Sequence, residues 1–205
     1  MSVVKYRFIE KIAAGMVTPI YNSAIAVGDK ITDVFGKLQG LLNTRLNRAV
    51  LTTAWSGGAS STTDQTILTL VIAANQLQVG DIIQYDLRGT LTKPLSAGTT
   101  IQFWMKVNGT RTGAVQYTPT AGITTQPFTY RGTMVVRAIG ASGVIIGLGN
   151  LNQMLTATTA ITYSATGAAV TADTTANITL TMGIVFSNSN ASNNVTANLG
   201  FIAET

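Results

Sequence analysis

The sequence predicts a mainly β protein: an antiparallel β-sandwich or jelly roll preceded by an N-terminal arm and one short helix. Apolar and polar residues alternate in several segments after residue 50, and turn-forming residues separate those segments. The composition agrees, because charged residues make up only 10% of the 205 positions and Thr, Asn, Ser and Gly replace them. Thr favours strands, whereas Gly, Asn and Ser favour turns.

Residues 1–28 form the predicted arm. Val4, Tyr6 and Phe8 alternate with basic residues as in a short strand, but Pro19 interrupts the segment that follows and no period continues. A segment without its own apolar pattern is ordered by what it contacts. We therefore expect residues 1–28 to anchor the chain on a partner protein.

Residues 29–49 form the predicted helix. Asp29 can cap its first turn, because a carboxylate accepts hydrogen bonds from the early backbone N–H groups. Apolar residues recur every three or four positions and form one stripe, the expected oligomer seam: Ile31, Phe35, Leu38, Leu42 and Leu46. Barely two heptads are regular, so the pattern fits equally well a helix packed on its own domain.

Residues 50–205 form the predicted β domain. The segments expected to be strands are 65–73, 81–91, 100–107, 128–139, 144–148, 178–186 and 195–202. Gly80-Asp81 and Asn108-Gly109 are turn pairs, and the second is a preferred pair for a tight hairpin. We expect about eight or nine strands, and a long loop within the Ala- and Thr-rich residues 156–177. No helix-length pattern intervenes, which disfavours a βαβ fold.

The residue types present argue against an enzyme. The chain contains no Cys and no His, so it lacks the thiolate nucleophile, the commonest general base and the commonest transition-metal ligands. The β domain contains few carboxylates, and Asp86 and Arg88, two positions apart, are expected to form a surface pair. We predict no catalytic residue, no cofactor and no metal site.

The net charge of +5 is concentrated near the N-terminus. Residues 1–50 contain seven Lys or Arg and three Asp or Glu, which leaves +4 there. A solvated helix face and a charged arm account for this excess, so a nucleic-acid partner is not expected. No apolar stretch approaches the ~20 residues that a bilayer requires, so no membrane segment is expected.

Trp104 is the one aromatic residue singled out as a possible contact. It alternates with the apolar positions of segment 100–107 and therefore shares a strand face with Gln102 and Lys106. An aromatic residue there can stack on a sugar ring, or it can be covered by a second layer or a neighbouring chain. We favour the covered position.

Two parts of the sequence resemble bacteriophage fibre and appendage proteins. Residues 29–43 (DKITDVFGKLQGLLN) contain the Lys-Leu-Gln of a helix common in such fibres, with Phe35-Gly36 in place of the usual small-apolar pair. Residues 71–90 and 103–110 resemble jelly-roll domains of phage virion proteins, although Ala73 stands where Pro is frequent. The matching positions are Asn75, Leu77, Gly80, Asp81, Gly89, Lys106, Asn108 and Gly109. The resemblance implies a helix that holds a trimer together and a β domain that follows it.

The expected function is that of a non-catalytic virion structural protein on the external surface of the particle. It would be an outward-projecting homotrimeric head fibre, a capsid decoration protein or a short tail fibre, bound to other virion proteins through residues 1–28. The alternative is a receptor-binding adhesin that recognises host-surface glycan. A glycan-active enzyme is the remote alternative.

Overall fold

The computed structural model describes residues 47–58, 61–93, 99–119, 122–154, 156 and 159–205. The predicted arm, most of the predicted helix and the whole predicted seam lie outside the described residues. The described residues form twelve strands: β1 (Arg48–Val50), β2 (Trp55–Gly57), β3 (Gln65–Ile72), β4 (Ile82–Lys93), β5 (Ile101–Val107), β6 (Thr110–Tyr117), β7 (Ile123–Ala138), β8 (Gly143–Met154), β9 (Ala160–Thr166), β10 (Val170–Ala172), β11 (Ile178–Phe186) and β12 (Asn194–Glu204).

The strands form two sheets in which every pair is antiparallel. The larger sheet has eight strands in the order β1-β12-β4-β7-β8-β10, with β2 also paired to β12 and β9 also paired to β8. The smaller sheet has four strands in the order β3-β11-β5-β6. Each sheet therefore joins strands that are distant in the chain.

One apolar core lies between the two sheets. The ring centroid of Phe103 on β5 lies 4.8 Å from that of Phe128 and 5.5 Å from that of Tyr130, both on β7, so the inner faces of the two sheets are in direct contact. Burying a large side chain of this kind stabilises a fold by about 1.5–3 kcal/mol. The described part of the chain is thus mainly β, with two antiparallel sheets arranged as a β-sandwich. This confirms the prediction of a mainly β, antiparallel fold.

Both predicted turn pairs are turns in the structure. Asn108 (φ 47°) and Gly109 (φ 85°) form the two-residue link between β5 and β6, and a positive φ at both positions is what a tight hairpin requires. The backbone N–H of Gly80 (φ 95°) donates to the Val136 carbonyl oxygen at 2.8 Å just before β4 begins.

Glycines allow the two sheets to approach each other closely where β6 packs against β8. The edge strand β6 meets β8 backbone to backbone, and a Cβ at Gly149 would collide with the carbonyl oxygen of Gly113. Tyr130 donates its hydroxyl to that same carbonyl at 2.9 Å, and Tyr85 donates to the Leu148 carbonyl at 2.8 Å. Burial raises the pKa of Tyr85 to about 12, so its hydroxyl stays protonated and remains a donor.

Two sequence predictions about element boundaries are wrong. Residues 156–177 contain β9 and β10 rather than one long loop, because β9 is an exposed strand held by pairing with β8 and needs no apolar alternation. The predicted helix ended at residue 49, whereas Arg48–Val50 form β1, paired with Phe201–Ala203 of β12. In both places long-range pairing outweighs the local pattern.

Candidate functional site

A polar groove lies on the outer face of the larger sheet, across β4, β7, β8 and β9. Its volume is about 460 Å³, within the range of small-ligand sites. Its lining consists of Arg88, Thr129, Arg131, Asn150, Leu151, Asn152 and Thr162. A second depression of about 290 Å³ adjoins it and shares Arg131 and Asn150 with it.

Strand register arranges the polar side chains of the groove and of its border in two parallel rows. Cross-strand partners on one face lie side by side, and residues two apart on a strand share that face. One row is Asp86, Arg131, Asn150 and Ser164, and the other is Arg88, Thr129, Asn152 and Thr162. Each row takes one residue from each of four neighbouring strands, so the groove exists only when all four are paired.

Asp86 and Arg88 form a bidentate ion pair at one end of these rows. Arg88 donates from Nε to Oδ1 at 2.9 Å and from Nη2 to Oδ2 at 2.8 Å. The hydrogen bond to Asp86 raises the pKa of Arg88, so the guanidinium stays charged. The pair expected from the sequence is therefore present, but Asp86 is buried while Arg88 is exposed. Because Arg88 engages both oxygens of the carboxylate, Asp86 is poorly placed to act as a base or nucleophile.

Arg131 carries a positive charge that no acidic side chain among the described residues neutralises. It lies directly opposite Asp86 in the register of β4 and β7, and its side chain is exposed. Within the part of the chain that the structure describes, Arg131 makes no hydrogen bond and no ion pair. Since Asp86 and Arg88 neutralise each other, the described residues of the groove carry a net charge of one positive unit, located on Arg131.

The outer face of the smaller sheet is built differently, around Trp104. Its neighbours Phe103 and Met105 point into the core, so Trp104 points outward, yet it has no exposed surface. The indole lies across Gly183 of β11, its cross-strand partner, and the Lys106 ammonium lies 4.5 Å from the ring centroid. Trp104 therefore has no surface to offer a ligand in this structure.

Lys106, which lies over that indole, belongs to a charged network. Asp64 accepts hydrogen bonds from Lys106 and from Arg111, and Arg111 also donates to Gln102. Partial burial alone would raise the pKa of Asp64, but the hydrogen bond from Lys106 and the charge of Arg111 lower it below the usual range. On this face, unlike in the groove, both cations have an acidic partner.

The described residues contain no cluster of three or more His, Cys, Asp or Glu side chains that could hold a metal ion. Nor does that part of the chain contain a helix with the length and hydropathy needed to cross a membrane.

The sequence pattern indicates Trp104 but does not reveal the groove. The local signal was present, because Arg131 occupies an outward position between the inward residues Tyr130 and Gly132 of β7. What could not be seen was the register that places Asn150, Asn152 and Thr162 beside it. The seam residues predicted between positions 31 and 46 lie outside the described residues.

No protein-family model matches the chain, and no curated protein matches it significantly. A function for this chain therefore has to be inferred from its own residues and their geometry.

Proposed function

We propose that the chain is a non-catalytic structural protein on the external surface of a bacteriophage particle. It would project outward as a trimeric head fibre, capsid decoration protein or short tail fibre, with residues 1–28 bound to other virion proteins. The observation that carries this proposal is the order of the strands in the two sheets.

The strand order favours a jelly roll. We count β1 and β2 as one edge position and set aside β8–β10 as an extension after β7. The larger sheet then has the order first-eighth-third-sixth and the smaller sheet the order second-seventh-fourth-fifth. This is the arrangement expected for an eight-stranded jelly roll, a fold used by viral capsid domains. Because fold alone does not imply function, this observation supports the proposal only together with the sequence motifs.

The residues that resemble phage jelly-roll proteins lie in turns and in the core, where residues that determine a fold are expected. Asn75 adopts a positive φ of 62° and donates its backbone N–H to the Thr174 carbonyl, while Leu77 is buried in the core. Asn108 ties the β5–β6 hairpin to β11, since its backbone N–H and side-chain carbonyl both bond to Thr179 at 2.8 Å. These residues resemble those of phage jelly-roll proteins and occupy turns and core positions here, which supports the same architecture.

The state of the groove carboxylate also favours a non-catalytic role. Glycoside cleavage usually requires two carboxyl groups facing each other across the bond. Asp86 is the single acidic side chain of the two polar rows, and Arg88 engages both of its oxygens. A surface of this kind can bind by hydrogen bonding but lacks a free acid–base pair.

The experiment that tests the proposed function asks whether the protein is part of the particle. Particles grown from the phage genome that encodes the chain should carry it on their surface, visible by antibody labelling and by cryo-electron microscopy. A variant lacking residues 1–28 should keep the circular dichroism of a folded β domain but no longer join the particles. Leu38→Asp combined with Leu42→Asp should reduce the trimeric mass of the free protein.

Three results would contradict the proposal or one part of it. Purified particles that lack the protein at every stage of maturation would remove the virion role. Undiminished incorporation of the truncated variant would retain the virion role but remove residues 1–28 as the anchor. A monodisperse monomer for the unmodified protein at micromolar concentration would remove the trimer.

A further inference from the structure

We propose that the groove on the outer face of the larger sheet binds an acidic saccharide, with the sugar carboxylate paired to Arg131. This inference goes beyond the virion role and does not depend on it, because it rests on the groove alone. It places ligand binding on β4, β7, β8 and β9, away from Trp104.

The charge of the groove favours a ligand that carries a carboxylate. Arg131 is exposed and has no acidic partner among the described residues, whereas the adjacent Arg88 is already held by Asp86. An exposed guanidinium presents a rigid fork of N–H donors that matches the two oxygens of a carboxylate. A groove with a net charge of +1 fits a ligand that carries one negative charge on the sugar residue bound there.

The lining around Arg131 also contains neutral polar side chains. Ser164 donates to the side-chain oxygen of Asn150, which leaves the amide N–H₂ of Asn150 free to donate elsewhere. The side chains of Thr129, Asn152 and Thr162 make no hydrogen bond to another described residue. Amides and hydroxyls that can both donate and accept suit the hydroxyl groups of a sugar ring.

The groove fits a saccharide better than it fits a nucleic acid or an acidic peptide. Nucleic-acid surfaces bring several Lys and Arg side chains against successive phosphates, whereas the described lining of this groove contains one unpaired cation. A peptide in a groove is held by apolar anchors, but Leu151, the one apolar residue among the described lining residues, is fully buried. A sugar acid can interact with the whole lining, because its carboxylate can pair with Arg131 and its hydroxyl groups can hydrogen-bond to the neutral side chains.

The experiment measures binding of defined oligomers to the full-length protein by titration calorimetry and by NMR shifts. The probe is a tetramer of galacturonic acid, and its comparison ligand is the same tetramer with every carboxylate converted to a methyl ester. We expect saturable binding of the acid form, and an affinity lower by about tenfold or more for the ester, since one well-formed charged contact accounts for that ratio. Added salt should weaken binding of the acid form only.

Two arginine variants assign the site. Arg131→Gln removes the proposed contact and should lower the affinity for the acid tetramer by about tenfold, leaving it equal to that of the ester. Arg137→Gln makes the same charge change at an exposed position of the same strand outside the groove. We expect Arg137→Gln to retain the affinity of the unmodified protein. Both variants should unfold at the same denaturant concentration as the unmodified protein, because neither arginine has a hydrogen-bond or ion-pair partner among the described residues.

Several outcomes would overturn the inference. They are equal affinity for the acid and the ester, equal losses in the Arg131 and Arg137 variants, or no saturable binding of the acid tetramer. A glutamate tetrapeptide or a short single-stranded DNA that binds through Arg131 as tightly as the sugar acid would replace the saccharide by another class. None of these results bears on whether the protein belongs to a particle, so this inference and the proposed function fail separately.

Discussion

The outer faces of the two sheets differ in what they do with outward-pointing side chains. On the larger sheet, Arg131 is exposed and unpaired among the described residues, beside free amides and hydroxyls. On the smaller sheet, Trp104 also points outward but is fully buried, and both nearby cations are bound to Asp64. Strand alternation decides which side of a sheet a residue is on, not whether that side is solvated. An exposed polar face with unpaired groups is suited to a ligand, while a covered face whose charges are paired is suited to stability.

Truncation of Trp104 should have the largest effect on the smaller sheet. Trp104→Ala removes a fully buried indole, so we expect a loss of about 3–5 kcal/mol in the free energy of unfolding, measured by chemical denaturation. Trp104→Phe should cost clearly less, because it keeps one ring and removes an indole N–H that has no hydrogen-bond partner among the described residues. A loss below about 1 kcal/mol for Trp104→Ala would mean that the indole is solvated in solution, and the contrast between the faces would disappear.

Adding a methyl group beneath the indole should have the next largest effect. A Cβ at Gly183 would lie 2.5 Å from Cζ2 of Trp104 and closer still to the Gln65 backbone carbonyl. Gly183→Ala should therefore destabilise the protein by about 1–3 kcal/mol through overpacking. The matched change on the other sheet, Thr129→Ala in the groove, should stay within about 0.5 kcal/mol in the same denaturation assay. Similar losses at the two positions would show that both faces are equally packed.

Removal of the Asp64 charge should have the smallest effect and one that depends on pH. Asp64 has a pKa lowered by Lys106 and Arg111, so its carboxylate stabilises the fold above the unfolded-state pKa of about 4. That contribution is lost as the pH falls through the lower pKa of the folded state. Because the network is partly exposed, we expect Asp64→Asn to cost about 0.5–1 kcal/mol at pH 7. The cost should shrink below about pH 4 and in high salt, as followed by urea titrations. A pH-independent cost would mean that packing, not charge, is what Asp64 contributes.

The strands that sequence analysis predicted best are those with a buried face. In β11, Ile178, Leu180 and Met182 alternate with half-buried threonines, and the structure places the strand at the predicted bounds. By contrast, β9 was missed because it is an edge strand whose residues are mostly exposed, so burial imposes no period on them. The three residues of β1 are too few to show a period of their own, so the sequence predicts the first two of them as the end of the helix.

The sequence by itself determined the β class, the two turn pairs and the Asp86–Arg88 pair, because alternation, positive φ and i, i+2 proximity are local properties of the chain. It also placed Trp104 on the same face as Gln102 and Lys106. Only the tertiary structure decided which strands are neighbours, and hence that Asp86, Arg131, Asn150 and Ser164 form one row. It also decided that Trp104 is buried and Arg131 is not. Register and coverage depend on strands brought together from distant parts of the chain, and no local pattern encodes which partner each strand will meet.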